Sequence, residues 1–170
     1  MNVYEAIAAR KSVRDYLDQD VPEATIRRVL DAGRLAPSAN NRQEWRFVVV
    51  RDASIREKLA TASLDQRFVG EAPVVIVCCA ETDEHVMRCG QLSYTVDVAI
   101  AVDHLTLAAV QEGLGTCWIG AFNESTIKSL LGIPHEIRVV ALLPMGYPTD
   151  PAVKKKSRLP MDRLVRWEKW

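Results

Sequence analysis

Apolar residues recur along the chain at spacings that predict both helices and strands. Residues 22–35 carry them at every third or fourth position, as one face of a helix requires, and Pro22 suits its first turn. Similar spacing predicts further helices over residues 3–10, 53–63, 91–113 and 124–131. In the first of these we expect Val3, Ala6 and Ile7 to face the core.

Continuous apolar runs predict the strands. Residues 73–80 are apolar and rich in β-branched side chains, which is typical of a central strand covered on both faces. Residues 46–50 and 138–143 predict two more strands, the second broken at Pro144, and residues 115–121 predict a short strand or turn. These strands, with long helices between them, predict an α/β or α+β sandwich that forms a single domain over residues 1–170.

Charge and composition exclude some classes of function. The chain has 170 residues, with 22 Lys and Arg against 22 Asp and Glu, so its formal net charge is zero. This balance argues against wholesale binding of nucleic acid or anionic membrane, although local clusters can still hold a small anion. The first residues lack the pattern of a signal peptide, and no apolar run approaches the ~18 residues of a membrane span. We therefore expect a cytoplasmic protein.

The cysteines and histidines predict no metal site. None of Cys78, Cys79, Cys89 and Cys117 falls in a Cys-x-x-Cys pair, and the three histidines have no ligand spacing. Buried structural thiols in a reducing cytoplasm account for the cysteines. The glycine-rich dinucleotide fingerprint is also absent, so side chains would have to hold a phosphate-bearing ligand.

Three polar clusters remain, and each has two interpretations. Residues 10–14 (RKSVR) can neutralise a phosphate, or they form a solvated basic helix end. Residues 37–43 (PSANNRQ) can hydrogen-bond a heterocycle or sugar, or they are only a turn that ends a helix. Residues 154–158 (KKKSR) form a solvated tail, or they meet the first cluster around one phosphate.

Taken together and in order, these segments resemble the FMN-dependent nitroreductase family. The matching segments are RKSVR (10–14), PSANNRQEW (37–45), GLGTCWIGAF (113–122) and KKSRLP (155–160). The resemblance implies an α+β fold, an α-β-α sandwich around a mainly antiparallel sheet. It also implies an intertwined homodimer with two FMN sites at the subunit interface.

The resemblance also assigns residues to that site. The FMN phosphate and ribityl chain would be held by Arg10, Ser12, Lys156 and Arg158, with backbone contacts from Lys11. Arg14 would lie near the pyrimidine edge of the flavin, where its charge stabilises the reduced, anionic ring. The segment that reaches the flavin from the partner subunit would contain Ser38, Ala39, Asn41 and Gln43. The strand and turn passing the ring, with N–H groups near flavin N5 and O4, would contain Trp118, Ile119, Gly120 and Ala121.

The activity implied is transfer of hydride from NADH or NADPH through flavin N5 to a nitroaromatic, quinone or similar acceptor, by a ping-pong mechanism. The cofactor carries this chemistry, so no catalytic side chain is required. Related flavoproteins suggest alternatives: reductive dehalogenation, flavin degradation or heterocycle oxidation. A non-enzymatic flavin-binding protein, and basic clusters that are only surface, also remain open.

The chain departs from the family pattern in two respects: at Glu44 and in its short length. Glu44 stands where the family often has proline. Residues 64–72 and 81–90 would have to cover the flavin edge, with Arg67 or Phe68 on the substrate side, although a bare surface loop is the alternative for residues 64–72. Residues 161–170 carry Trp167 and Trp170, and we expect this tail to wrap around the partner subunit.

Overall fold

The computed structural model describes residues 1–153 and 155–170, so Lys154 of the basic tail lies outside the described residues. The helices are α1 (Val3–Ala9), α2 (Glu23–Arg34), α3 (Ala53–Ala62), α4 (Arg67–Glu71), α5 (Ser93–Gln111), α6 (Glu124–Leu131) and α7 (Met161–Leu164). The strands are β1 (Trp45–Val50), β2 (Val74–Ala80), β3 (Gly115–Thr116) and β4 (Arg138–Gly146).

The four strands form one antiparallel sheet in the order β1-β2-β4-β3. The central strand β2 is buried along its whole length, as its apolar sequence predicts. At one end of β2, Val74 pairs with Met145, and at the other Ala80 pairs with Trp45 and Arg138. This pairing fixes which loops meet at each end of the sheet.

Helices cover both faces of the sheet. Alternate residues of β2, such as Ile76 and Cys78, pack in a cluster with residues of α2 and α5. The residues between them, such as Val77 and Cys79, pack with residues of α3 and α6. Successive strand residues face opposite sides, so the adjacent thiols enter different cores. The predicted α+β sandwich with helical layers on both sides is confirmed.

The prediction for α1 was wrong about which side chains are buried in the chain. Ala6 is buried, but Val3 is 59% and Ile7 is 50% exposed. The helix is only seven residues long and packs against α5 along one narrow face, which leaves no second layer to cover the other side chains.

The strand near residue 140 is longer than predicted, because Pro144 lies inside β4 instead of ending it. The Pro144 carbonyl accepts hydrogen bonds from the Cys117 N–H at 3.3 Å and the Tyr16 hydroxyl at 3.3 Å. Its carbonyl faces Cys117, so the position of the missing N–H lies on that side as well, and the ladder between β4 and β2 is not interrupted. A proline is therefore tolerated within this strand.

One cysteine departs from the expected burial. Cys89 is exposed, whereas Cys78, Cys79 and Cys117 are buried. Helix α5 has 19 residues with a mean hydropathy of 1.2, so by length and composition alone it could cross a membrane. In the fold it is a core helix that packs on α2, α1 and the sheet.

Candidate functional site

Both ends of the chain meet beside β3. The Lys11 ammonium donates to the carbonyl oxygens of Asp150 and Ala152, each at 2.7 Å, and the Lys156 ammonium donates to the Ile7 carbonyl. The first and third basic clusters are therefore brought together. Lys11 therefore holds the C-terminal segment against the segment after α1, and its ammonium group is already hydrogen-bonded to backbone oxygens.

The segment after α1 is anchored to the edge of the sheet by backbone contacts. Val13 N–H donates to the Thr116 carbonyl at 2.9 Å, and Ser12 pairs with Thr116. This approach requires glycine at position 115, because a Cβ atom there would lie 2.7 Å from Val13 Cβ. The sequence around residues 113–116 therefore sets how closely the basic segment lies against β3.

A cleft of about 340 Å³ lies here, lined by basic residues of both clusters, among them Arg14 and Lys156, and also by Ser12, Asp15 and Asp150. Burial lowers the pKa of Lys156, and the nearby positive charges of Arg10 and Arg158 lower it further. Among residues 1–153 and 155–170, these three cations form no ion pair with a carboxylate. We call Arg10, Lys156 and Arg158 the clamp. Its cations repel one another, so an anion placed between them would be stabilised.

Arg14 and Phe68 join residues 64–72 to this side of the molecule. The Arg14 guanidinium lies over the Phe68 ring, 5.8 Å from its centroid. Phe68 belongs to α4, so part of the segment forms a short helix, and its ring packs beside Val13, Tyr16 and Ala72. The Gln66 side-chain amide donates to the Ala121 carbonyl at 3.3 Å, which links the same segment to residues 118–121.

Residues 118–121 continue along the sheet edge beyond β3. Ile119 is buried, and its N–H donates to the Leu142 carbonyl at 2.9 Å. Trp118 is 42% exposed, and Gly120 and Ala121 are also exposed. In the described part of the chain, the N–H groups of Gly120 and Ala121 donate to no protein acceptor. The N–H groups of Gly120 and Ala121 are therefore available to a ligand, whereas the N–H of Ile119 is not.

Residues 38–43 form an exposed loop with an unusual backbone, which we call the amide loop. Asn40, Asn41 and Gln43 have positive φ angles of 50, 56 and 52°. L-residues rarely adopt this region, and such outliers cluster at functional sites. The Ser38 hydroxyl accepts the Gln43 N–H at 3.0 Å, which closes the loop on itself.

Two buried carboxylates lie beneath the amide loop, and sequence reasoning missed their role. Asp97 accepts the Ala39 N–H, and Glu44 accepts the Ser93 hydroxyl at 3.1 Å. They are 3% and 4% exposed, respectively. The sequence did hold one signal for Asp97, which is an acidic residue among the apolar positions of α5. A charged side chain on a buried helix face needs a partner, so such a residue indicates a contact with another element.

The amide loop and the clamp lie at opposite corners of the sheet. The loop leads into β1, whose Trp45 pairs with the last residue of β2, whereas Ser12 pairs with β3 near the first residue of β2. Seven residues of β2 separate these ends by roughly 20 Å, and three strand spacings add about 14 Å across the sheet. One chain therefore brings the two basic clusters together but does not bring the amide loop to them.

Exposed apolar side chains mark the tail and α1. Trp167 is 84% and Trp170 is 104% exposed, and the apolar residues Met161 and Leu164 are also exposed. Arg166 stacks over the Trp170 ring, 5.8 Å from its centroid.

Within the described residues, no group of three or more His, Cys, Asp or Glu side chains is arranged to hold a metal ion.

Comparison with protein-family models matches the chain to the nitroreductase family over residues 7–86 and 62–147. Among curated proteins, the chain is 28% identical to the FMN reductase [NAD(P)H] of Bacillus subtilis (strain 168). The match covers 98% of this chain and 73% of that protein.

Solved structures agree with this match. A nitroreductase family protein from Clostridium novyi NT has 37% identity and a TM-score of 0.84, covering 91% of this chain and 89% of that one. The NADPH:FMN oxidoreductase of Vibrio harveyi, solved in complex with NAD+, has 25% identity and a TM-score of 0.90. That match covers 100% of this chain and 78% of the Vibrio chain.

Proposed function

Since the chain belongs to the nitroreductase family, we propose that it is an FMN-dependent oxidoreductase that uses NADH or NADPH as electron donor. The acceptor is a nitroaromatic, quinone or similar small molecule, and donor and acceptor occupy the site in turn. The single observation that carries the proposal is the clamp, where cations from both chain ends converge without a carboxylate partner among the described residues.

The residues present fit FMN. A phosphate carries two negative charges near neutral pH and is bound well by guanidinium and ammonium groups, which the clamp supplies. Ser12 lines the same cleft as Lys156, and its hydroxyl would add a donor for a phosphate or ribityl oxygen. The free N–H groups of Gly120 and Ala121 lie on the same edge of the sheet and suit the polar edge of a flavin ring.

We propose that the complete site forms between two copies of the chain. The amide loop lies too far from the clamp of its own chain to share a ligand with it, so a second copy would supply the loop. The exposed indoles of Trp167 and Trp170 and the exposed side chains of α1 are apolar surface that such a dimer would bury. In this proposal residues 161–170 wrap around the second copy, while residues 1–160 carry the flavin site.

FMN, when bound, supplies the redox chemistry by accepting hydride from the nicotinamide and passing electrons to the acceptor. The chain's own residues bind and tune it. Arg10, Lys156 and Arg158 fix the phosphate, and Arg14 places a positive charge that favours the reduced, anionic ring. Lys11 and Ile119 hold the surrounding backbone in place. The Lys11 ammonium donates to the Asp150 and Ala152 carbonyls, and the Ile119 N–H donates to the Leu142 carbonyl.

The amide loop contributes neutral groups. The groups presented to the flavin of the second copy belong to Ser38, Asn41 and Gln43. Ala39 lies between them in the loop, with its N–H bonded to Asp97. In this proposal Phe68, which stacks on Arg14, and Arg67 on the same helix border the acceptor. No side chain is required as a nucleophile or as an acid–base pair.

An anaerobic titration tests the proposal in one cuvette. We expect purified protein to be yellow, to bleach with NADH or NADPH, and to recover its colour when a nitroaromatic or quinone is added. The nucleotide that bleaches at lower concentration identifies the preferred donor. Bound flavin that neither nucleotide bleaches would contradict the activity and favour a flavin-binding protein without it.

We also propose a cytoplasmic location. The four cysteines are free, and Cys78 and Cys79 are adjacent yet buried in different cores. A reducing compartment keeps thiols in this state. Both NADH and NADPH are supplied there.

A further inference from the structure

The amide loop is held from below by a carboxylate on another element. Both carboxylate oxygens of Asp97 accept the Ala39 N–H, each at 3.1 Å. Asp97 lies in the second turn of α5 and is 3% exposed, so the contact joins the loop to the core helix of the fold. The amide at position 39 is thereby tied to a rigid element.

The loop needs such an anchor because its backbone is strained. The positive φ angles at Asn40, Asn41 and Gln43 follow directly after Ala39. A strained conformation persists only where the surrounding structure fixes it. The Ser38–Gln43 hydrogen bond closes the loop, but Asp97 is the group that fixes it to α5.

An ionised Asp97 is costly for the fold itself. Burial raises its pKa, and the charge of Glu44 raises it further, while the Ala39 N–H and the charge of Arg42 act in the opposite direction. Arg42 forms ion pairs with Asp83 and, at 3.5 Å, with Glu44. The arrangement thus places two acids in one buried region, where a neutral side chain would be less costly.

We propose that Asp97 is a positioning residue that holds the amide loop in the conformation in which it meets the flavin of the second copy. The inference rests on the proposed function, which assigns the loop to that flavin. Asp97 does not touch the cofactor. It acts through the Ala39 peptide, and its cost to stability is offset by a preorganised binding loop.

The test compares Asp97→Asn with Asp103→Asn, a matched change on the same helix at an exposed position. Asparagine keeps one acceptor but removes the charge, and a charged acceptor is roughly twice as strong as a neutral one. We expect hydrogen exchange at the Ala39 amide of the apoprotein to become about tenfold faster. FMN affinity should weaken by a similar factor of about ten, and Asp103→Asn should match the wild type in both measurements.

Thermal unfolding separates positioning from a merely structural role. We expect the melting temperature of Asp97→Asn apoprotein to equal or exceed that of the wild type, because the change removes a buried charge. FMN affinity of the wild type should also fall as the pH drops through the raised pKa of Asp97, since protonation removes the charged acceptor. In Asp97→Asn that part of the pH profile should be flat. Arg42 and Glu44 face the same region and stay unchanged in this comparison.

Several results would overturn the inference. Unchanged exchange at Ala39, unchanged FMN affinity, or an affinity that falls only in parallel with melting temperature would each exclude a positioning role. Asp97→Ala removes both acceptors and should give a larger effect in the same direction. A wild-type protein that binds no FMN overturns the proposed function and this inference together, whereas normal FMN binding by Asp97→Asn overturns the inference alone.

Discussion

The Lys156 ammonium donates a hydrogen bond to the Ile7 carbonyl, a contact that spans 149 positions of the sequence. Ile7 lies in the last turn of α1, where carbonyl groups lack helical partners and favour a cation. The bond therefore gives a carbonyl at the end of the first helix a partner, and it holds the C-terminal segment against that helix. The charges of Arg10 and Arg158 are near enough to lower the pKa of Lys156, and the clamp depends on this proximity.

Removing one clamp cation should weaken FMN binding without unfolding the protein. For Arg158→Ala we expect a loss of about 1.5–3 kcal/mol, the usual contribution of one charge-assisted hydrogen bond, or roughly tenfold to hundredfold in Kd. Titration of apoprotein into FMN, followed by flavin fluorescence, measures the affinity. Arg27→Ala, a surface arginine paired with Glu23, is the control and should bind like the wild type.

The clamp also predicts how stability depends on pH. Because the pKa of Lys156 is lowered in the fold, the unfolded chain binds its proton more tightly. Apoprotein should therefore gain stability as the pH rises from the lowered value towards 10.5, the ordinary value for lysine. Bound FMN neutralises the repulsion, so melting curves of the holoprotein should lack this gain. Lys156→Met apoprotein should lack it as well, and its persistence in that variant would refute the assignment to Lys156.

Gly115 and Gly120 should respond to alanine in different ways. At position 115 the new Cβ would overlap the Val13 side chain, so we expect Gly115→Ala to lower the free energy of unfolding by about 1–3 kcal/mol. At position 120 the nearest atom would be Trp118 Nε1 at 3.9 Å, which leaves space for a methyl group. Urea unfolding should show normal stability for Gly120→Ala, while its flavin spectrum or FMN affinity changes. Equal loss of stability in both variants would contradict this reading.

The tail should be required for the dimer. A chain ending at Pro160 loses Trp167 and Trp170, and we expect it to sediment as a monomer with weakened FMN binding. Trp167→Ala tests the same contact with a single substitution in place of a truncation. Lys169→Ala, at an exposed polar position in the same segment, is its control. Sedimentation velocity over a range of concentrations measures the outcome. A truncated chain that remains dimeric would show that the tail does not hold the copies together.

Much of the fold follows from the sequence because its elements carry local signals. Helix α6 was predicted with its observed bounds, and Gly132 ends it with a φ of 66°. The apolar run of β2 predicted a strand covered on both faces. Strand β4 was predicted to end before Pro144. The energetic cost of a proline in a strand depends on whether a neighbouring strand needs its N–H as a donor, and only the sheet order reveals this.

The candidate site was predictable only where a segment has an unusual composition. The two basic clusters stand out in the sequence, and the structure brings Lys156 to α1. Asp97 could not be assigned, because its role depends on the Ala39 N–H, 58 positions away. The burial of Glu44 was missed for the same reason, since its hydrogen-bond partner Ser93 lies on α5. The roles of the amide loop and of residues 118–121 toward FMN stay predictions.

The separation of the clamp and the amide loop has a genetic consequence. If each flavin site takes its clamp from one chain and its loop from the other, a clamp-deficient chain and a loop-deficient chain repair each other. A mixed dimer of Arg158→Ala and Asp97→Ala chains has one site with both defects and one site with neither. Two weak alleles of this gene, expressed together, should therefore restore activity that neither supports alone.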